Sequence, residues 1–398
     1  MRRTLLIASV IIVILGIGVL VYFFFFAKSP SITTTPGGNT NFPTAGQGTA
    51  ATQTTENESA PSAPVVVSPR LVQISAGPVV TGEAVIDEKS AEASSTTDIA
   101  VDYIERQSGN VFTYLENEKT NTRISNKTIP GIQSASWLPD GSRAFVRYLS
   151  GTDFLTVNTY ALSASSTDGF FLPQNLTDIA VSSTSVLALA SGVNGSTASL
   201  SRADGTNAMN VFSTPLSSLR VGFAGKSQYL ATTRASATLP GDAFLVDATG
   251  HFSRIAGPLN GLVALASPSG KYVLASYSLN GSMEMELVDA SSGQTIPLPI
   301  ATIADKCVWA PDSSSIYCGI PVSPPSGFSY PDDWYQGAVP FADRIWKIDV
   351  ANRVAELVLD FSGQTKDSID IESPAIDANG STLVFVNKND GSLWSYSL

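Results

Sequence analysis

His251 is the only histidine in the 398-residue chain. A Ser-His-Asp triad, a multi-histidine zinc site and an HExxH metalloprotease helix would therefore each have to rest on one residue in a predicted turn. GFAGKS at 222–227 imitates a phosphate-binding loop, but the leading glycine that such a loop needs falls at Arg220. Acidic pairs such as Asp332 with Asp333, or Asp367 with Asp370, have the chemistry of an acid and base or of a calcium ligand set, without a spacing that singles them out. They read as solvated faces. No catalytic residue, metal site or cofactor is predicted, and a binding role is favoured over an enzymatic one.

Two features retain chemical interest. Between residues 319 and 342 the chain concentrates Phe328, Tyr330, Trp334, Tyr335 and Phe341 with Asp332 and Asp333. Such an aromatic-rich stretch is either a binding loop, with Phe328, Tyr330, Asp332, Asp333, Trp334 and Tyr335 as its contacts, or a lid packing its own rings. Cys307 and Cys318 flank an Ala-Pro-Asp-Ser turn centred between Asp312 and Ser313. A hairpin there sets them opposite one another, at a separation of about 4.5 Å in a non-hydrogen-bonded pair. A cross-strand disulfide and two buried thiols are both consistent with that spacing.

The elements that position these residues are read from repeats. SWLPDGSRAFVRY around Trp137 places two apolar runs on either side of a Pro-Asp-Gly turn, which is hairpin chemistry. The shape returns at LASPSGKYVLASY, VWAPDSSSIYCGI and IDANGSTLVFVNK, with weaker copies at IAVSSTSVLALAS and VGFAGKSQYLATT. Marked at Asp140, Ser183, Gly225, Ser269, Asp312 and Asn379, the copies are spaced by 43, 42, 44, 43 and 67 residues. A period in the low forties, with short apolar runs and no amphipathic helix, is that of four-stranded propeller blades. The 67-residue interval holds the aromatic stretch, between the second and third strands of its blade.

These motifs resemble the TolB-type β-propeller repeat, an apolar strand followed by Trp-Ser-Pro-Asp-Gly and a second apolar strand. The resemblance covers residues 69–398 and is strongest at Trp137 and Trp309. It implies a propeller whose connections between second and third strands lie on a ligand-binding face. It is poorly specific for function, since such propellers serve as interaction platforms, envelope components and accessory domains of peptidases. An earlier copy in DIAVDYIE and NVFTYLEN makes seven blades. The C-terminal SLWSYSL supplies only a third strand, so RLVQIS at 70–75 is expected to complete the last blade and close the ring.

Upstream, Leu5 to Phe26 is an uncharged run of 22 residues, against about 20 needed to span a bilayer. Arg2 and Arg3 precede it and only Lys28 follows closely, which predicts a cytoplasmic N-terminus and an extracytoplasmic bulk. Its phenylalanine-rich end argues against a cleaved signal peptide. Residues 29–68, rich in Thr, Ser, Pro and Gly, read as a disordered linker with a root-mean-square reach of roughly 35 Å. Asn-x-Ser/Thr sequons at Asn57, Asn126, Asn175, Asn194, Asn280 and Asn379 include three Asn-Gly turns, which turn chemistry explains without glycosylation.

The expected organisation is thus all-β. Residues 1–28 form the cytoplasmic N-terminus and single transmembrane helix, 29–68 the linker, and 69–398 a seven-bladed propeller of four-stranded antiparallel blades. A net charge of −11 argues against nucleic acid as a partner. The expected partners are the membrane, through residues 5–26, and an envelope protein, peptide or glycan at the loop face. The alternative is an envelope hydrolase or lyase using carboxylates in the channel or in the 319–342 loop.

Overall fold

The computed structural model describes residues 70–89, 97–125, 127, 129–164, 166 and 168–398. The predicted membrane span at 5–26, the linker at 29–68 and the sequons at Asn57 and Asn126 lie outside the described residues. No helix among the described residues is long and apolar enough to cross a membrane.

The described strands form seven separate four-stranded antiparallel sheets. Blade 1 runs Ala84–Lys89, Thr97–Ile104, Val111–Leu115 and Thr120–Arg123. The first strand of each blade lies innermost and packs on its neighbours around a central channel. In blades 2 to 7 these strands are Ile132–Trp137, Leu176–Val181, Leu219–Ala224, Val263–Ala266, Cys307–Trp309 and Ile371–Ile376.

The expected closure is present. Leu71–Gln73 pairs antiparallel with the last strand, Leu393–Ser397, as the outermost strand of blade 7. The Ser397 amide donates to the Arg70 carbonyl at 2.9 Å, so the two ends of the described chain meet in one blade. A closed ring leaves no unpaired edge at the seam.

Alternation of apolar and polar residues makes each sheet two-faced, and the apolar faces meet between blades. The second strand of blade 2, Arg143–Ser150, buries Ala144, Phe145 and Val146 completely. The repeated tryptophans have a defined task. Trp137 Nε1 donates to the Gly82 carbonyl at 3.0 Å and Trp309 Nε1 to the Leu265 carbonyl at 3.2 Å, each tying its blade to the preceding one. At Gly82 a side chain would meet the Ala135 carbonyl oxygen at 1.9 Å, so glycine is needed where blades 1 and 2 converge.

The turns are held by short polar side chains. Asp247 accepts from the Thr249 amide at 2.8 Å, and Asp289 from the Ser291 amide at 3.0 Å. Those bonds stabilise the ionised carboxylate, and hydrogen bonds led by Ser291 hold Asp289 down at about 2. GFAGKS spans the end of Leu219–Ala224 and the turn into Gln228–Thr233, a β-hairpin and no phosphate loop.

Candidate functional site

Strand direction divides the surface into two unlike faces. In every blade the connection from second to third strand, and the connection to the next blade, fall on one face, here the collar face. The opposite face carries polar turns of Asp, Ser, Gly and Asn. Of fifteen exposed large hydrophobic residues among those described, eleven lie on connections or strand ends of the collar face. Met209 and Val354 begin outermost strands at the opposite face, and Phe171 and Leu357 lie along outermost strands. The tips of five consecutive blades, 2 to 6, carry Phe154, Leu155, Val193, Leu239, Leu279 and Val322. Val193 is fully exposed, and Leu155 is 76% exposed.

The aromatic insert of blade 6, between Ser315–Pro321 and Asp343–Asp349, also lies on the collar face and contains one helical turn, Asp332–Tyr335. It packs its own rings. Tyr330, Trp334 and Phe341 are buried, while Phe328 and Tyr335 stay exposed. Tyr330 and Trp334 therefore present no face to solvent. Asp332 and Asp333 are not solvated faces. Asp332 Oδ2 accepts from the Ala237 amide of blade 4 at 3.1 Å, and Asp333 Oδ2 from the Ser329 amide at 2.6 Å.

Beneath the insert lies an ionic centre that spacing along the chain did not reveal. Lys306 is fully buried and ion-pairs with Asp343 at 2.8 Å and with Asp370. Asp370 also accepts from Trp334 Nε1 at 3.0 Å and from the Phe341 amide at 3.1 Å. The solvated reading holds for Asp367 and fails for Asp370, because Asp370 fastens the insert to blade 7. The Trp334 ring lies between two ammonium groups, with Lys306 Nζ 4.8 Å and Lys388 Nζ 4.6 Å from its centroid. Burial, partly offset by Lys306, pushes the Asp343 carboxyl up to about 6.

The channel opens on the collar face in a cavity of about 340 Å³. Arg220 of blade 4 pairs with Asp305 of blade 6 across it at 2.7 Å, and the Tyr335 hydroxyl donates to the same Asp305 oxygen at 2.7 Å. Tyr335 exposes part of its ring, but its hydroxyl is desolvated within the mouth, and that desolvation, with Asp305 next in weight, pushes the phenol above its usual range. Asp305 raises Arg220 in turn. On the blade 7 side Glu372 pairs with Lys388 at 2.7 Å. There the innermost strand is bulged after Glu372, and Ser373 takes a φ of 51°. Bulges of this kind recur where a strand must aim a side chain into a site.

Glu83, at the head of the blade 1 inner strand, is buried, and neither carboxyl oxygen makes a well-aligned hydrogen bond, the Gly82 amide giving only a weak one. Burial pushes it well above the ordinary carboxylate range, the Gly82 amide opposes the shift, and Glu372 adds to it. The mouth is thus polar, and most of its charges are already paired on a rigid ring.

Cys307, at the collar end of the blade 6 inner strand, and Cys318 are register partners and form a disulfide, with Cα atoms 4.1 Å apart.

No protein-family model matches the sequence, and no curated protein is similar to it. Solved structures do share its fold. An oligogalacturonate lyase from Vibrio parahaemolyticus aligns with a TM-score of 0.55 at 8% identity, covering 82% of this chain and 93% of its own. An oligogalacturonate lyase in complex with manganese aligns at 0.51 with 9% identity, covering 84% and 98%. At such identities the likeness is one of fold, and it supports the seven-bladed ring; the TolB-type repeat has no family match behind it. Among the described residues no three His, Cys, Asp or Glu side chains gather to hold a metal ion, and His251 is exposed on a turn of the face opposite the mouth.

Proposed function

We propose that this chain is a membrane-anchored, extracytoplasmic binding propeller that docks a protein of the cell envelope on its collar face. The observation that carries the reading is the asymmetry of exposed apolar side chains: five successive blades raise them on one face, and the opposite face has only Met209 and Val354, at the starts of outermost strands, among the described residues. Isolated surface leucines need no explanation, whereas apolar residues gathered on one face mark interaction sites. Loops on a rigid scaffold are where binding residues concentrate. The Cys307–Cys318 bond fits an oxidising compartment, and the uncharged run at 5–26 fits the anchor.

A lyase or hydrolase working in the channel is the second reading. It draws on the activity named for the two structural neighbours and on Glu83, a buried carboxyl beside Glu372 with no well-aligned hydrogen bond.

The docking reading is tested by replacing Phe154, Leu155 and Leu239 together by serine in the full-length chain and measuring retention of its partner from native membrane extract. Retention should fall at least tenfold at unchanged melting temperature, because the three side chains pack on little. Undiminished retention by the folded variant would refute the docking face.

A further inference from the structure

The channel mouth is charged unevenly. Its blade 6, 7 and 1 side carries the carboxylates Asp305 and Glu372, with Glu83 held above the ordinary carboxylate range by burial, and its opposite side carries guanidinium groups. Arg147, from the second strand of blade 2, donates to the Leu176 carbonyl at 2.7 Å, and Arg234, at the end of the second strand of blade 4, donates to the Thr177 carbonyl at 2.9 Å. Both side chains thus converge on the start of the blade 3 inner strand, where Asp178 interacts electrostatically with Arg147 and Arg220.

We infer that Arg147, Arg220 and Arg234 form a subsite for the carboxylate of a small polyhydroxylated acid, a sugar acid, whose hydroxyl groups face the acidic half of the mouth.

Three observations lead there. First, the cations outnumber their partners. Asp178 accepts from the Val221 amide at 2.8 Å, and among the described residues no carboxylate lies within ion-pairing distance of Arg147 or Arg234. Second, Arg147 Nε is buried without a hydrogen-bond partner, and a buried unsatisfied donor on a cation is costly. Burial lowers the Arg147 pKa, with Asp178 opposing and Arg234 adding to the effect, so an anion placed between the two arginines relieves both penalties. Third, the adjoining cavity of about 340 Å³ is of the size that holds a small ligand, and it is lined by Arg220, Asp305, Tyr335, Glu372 and Ser373.

The two halves together select the ligand. A guanidinium fork matches a carboxylate in bidentate geometry. Asp305 and Glu372, paired with Arg220 and Lys388, keep lone pairs that accept hydrogen bonds from hydroxyls. Inorganic phosphate satisfies the arginines and brings no polyol to those acceptors, whereas a monoanionic polyol suits both halves. The site does not depend on protein docking at the blade tips, since it uses other residues and a smaller ligand.

The test is isothermal titration of the full-length protein with glucuronate, with glucose, acetate and inorganic phosphate titrated separately. Glucuronate should bind at least tenfold more tightly than each of the other three, and its affinity should fall with added salt. Arg234→Gln and Arg147→Lys should each weaken it at least tenfold. Arg147→Lys keeps the charge and removes the fork, and Arg234→Gln leaves the buried Arg147 contact intact, so the pair remains informative if one variant folds poorly. Absence of glucuronate binding, glucose or phosphate binding as tightly as glucuronate, or unchanged affinity in both arginine variants would overturn the assignment.

Discussion

At the scale of single residues, Lys306 sets the electrostatics under the insert. One buried ammonium faces two buried carboxylates, Asp343 and Asp370, so the site carries one negative charge too many when both are ionised. Burial, opposed by Lys306 and reinforced by the charge of Asp370, makes Asp343 hold its proton up to about 6. Between the unfolded carboxylate value and that pH the folded state binds more protons than the unfolded one. Stability from this group is full below about pH 4 and is lost as pH rises through 6. Glu83 acts in the same direction. The change from Asp343 alone is on the order of 3 kcal/mol. Unfolding of the full-length protein followed between pH 4 and 7 should therefore show a component that falls with pH, and Asp343→Asn should flatten it. An identical slope in the variant would contradict the assignment. None of this was legible beforehand, because Lys306, Asp343 and Asp370 belong to three different segments. Nothing in a one-dimensional pattern marks a lysine as buried, and Asp367 and Asp370 look equivalent until the fold buries one.

Secondary elements were far more readable. Blade hairpins announce themselves through turn residues at fixed positions, and the Pro-Asp-Gly and Ala-Pro-Asp-Ser turns lie where the repeat put them. The Cys307–Cys318 pairing follows from such a turn, and so does the dismissal of GFAGKS. The closing strand was visible because the last copy lacked a fourth strand and one surplus run preceded the first. Replacing Leu71, Val72 and Gln73 by glycine should remove that pairing and lower the melting temperature of the full-length protein by several degrees. An unchanged melting temperature would show that the seam needs no strand from the N-terminal side. The insert was legible as an irregularity in spacing, but its two readings stayed open. Ring burial depends on what lies below, and here Asp370, Lys306 and Lys388 supply a polar floor that holds Trp334 down. Of the six predicted contact residues, Phe328 and Tyr335 remain at the surface.

For the whole molecule, the propeller turns a run of similar repeats into two different faces. Repetition in sequence hides this, because the apolar tips are single residues in short connections and mean nothing until strand direction gathers them on one side. Phe154 and Leu239 lie 85 positions apart, yet both sit on connections between second and third strands. Arg70 begins the outermost strand of blade 7, and outermost strands run toward the collar face, so the described chain enters at the opposite face. The measurement closest to this account is photo-crosslinking in native membranes, with a photoreactive residue placed in the full-length chain at Phe154 or Leu239, and for comparison at Thr249 or Ser291 on the opposite face. The account predicts one common protein adduct from both collar positions and none from the other two. Adducts equally frequent from Thr249 and Ser291, or absent from Phe154 and Leu239, would contradict it.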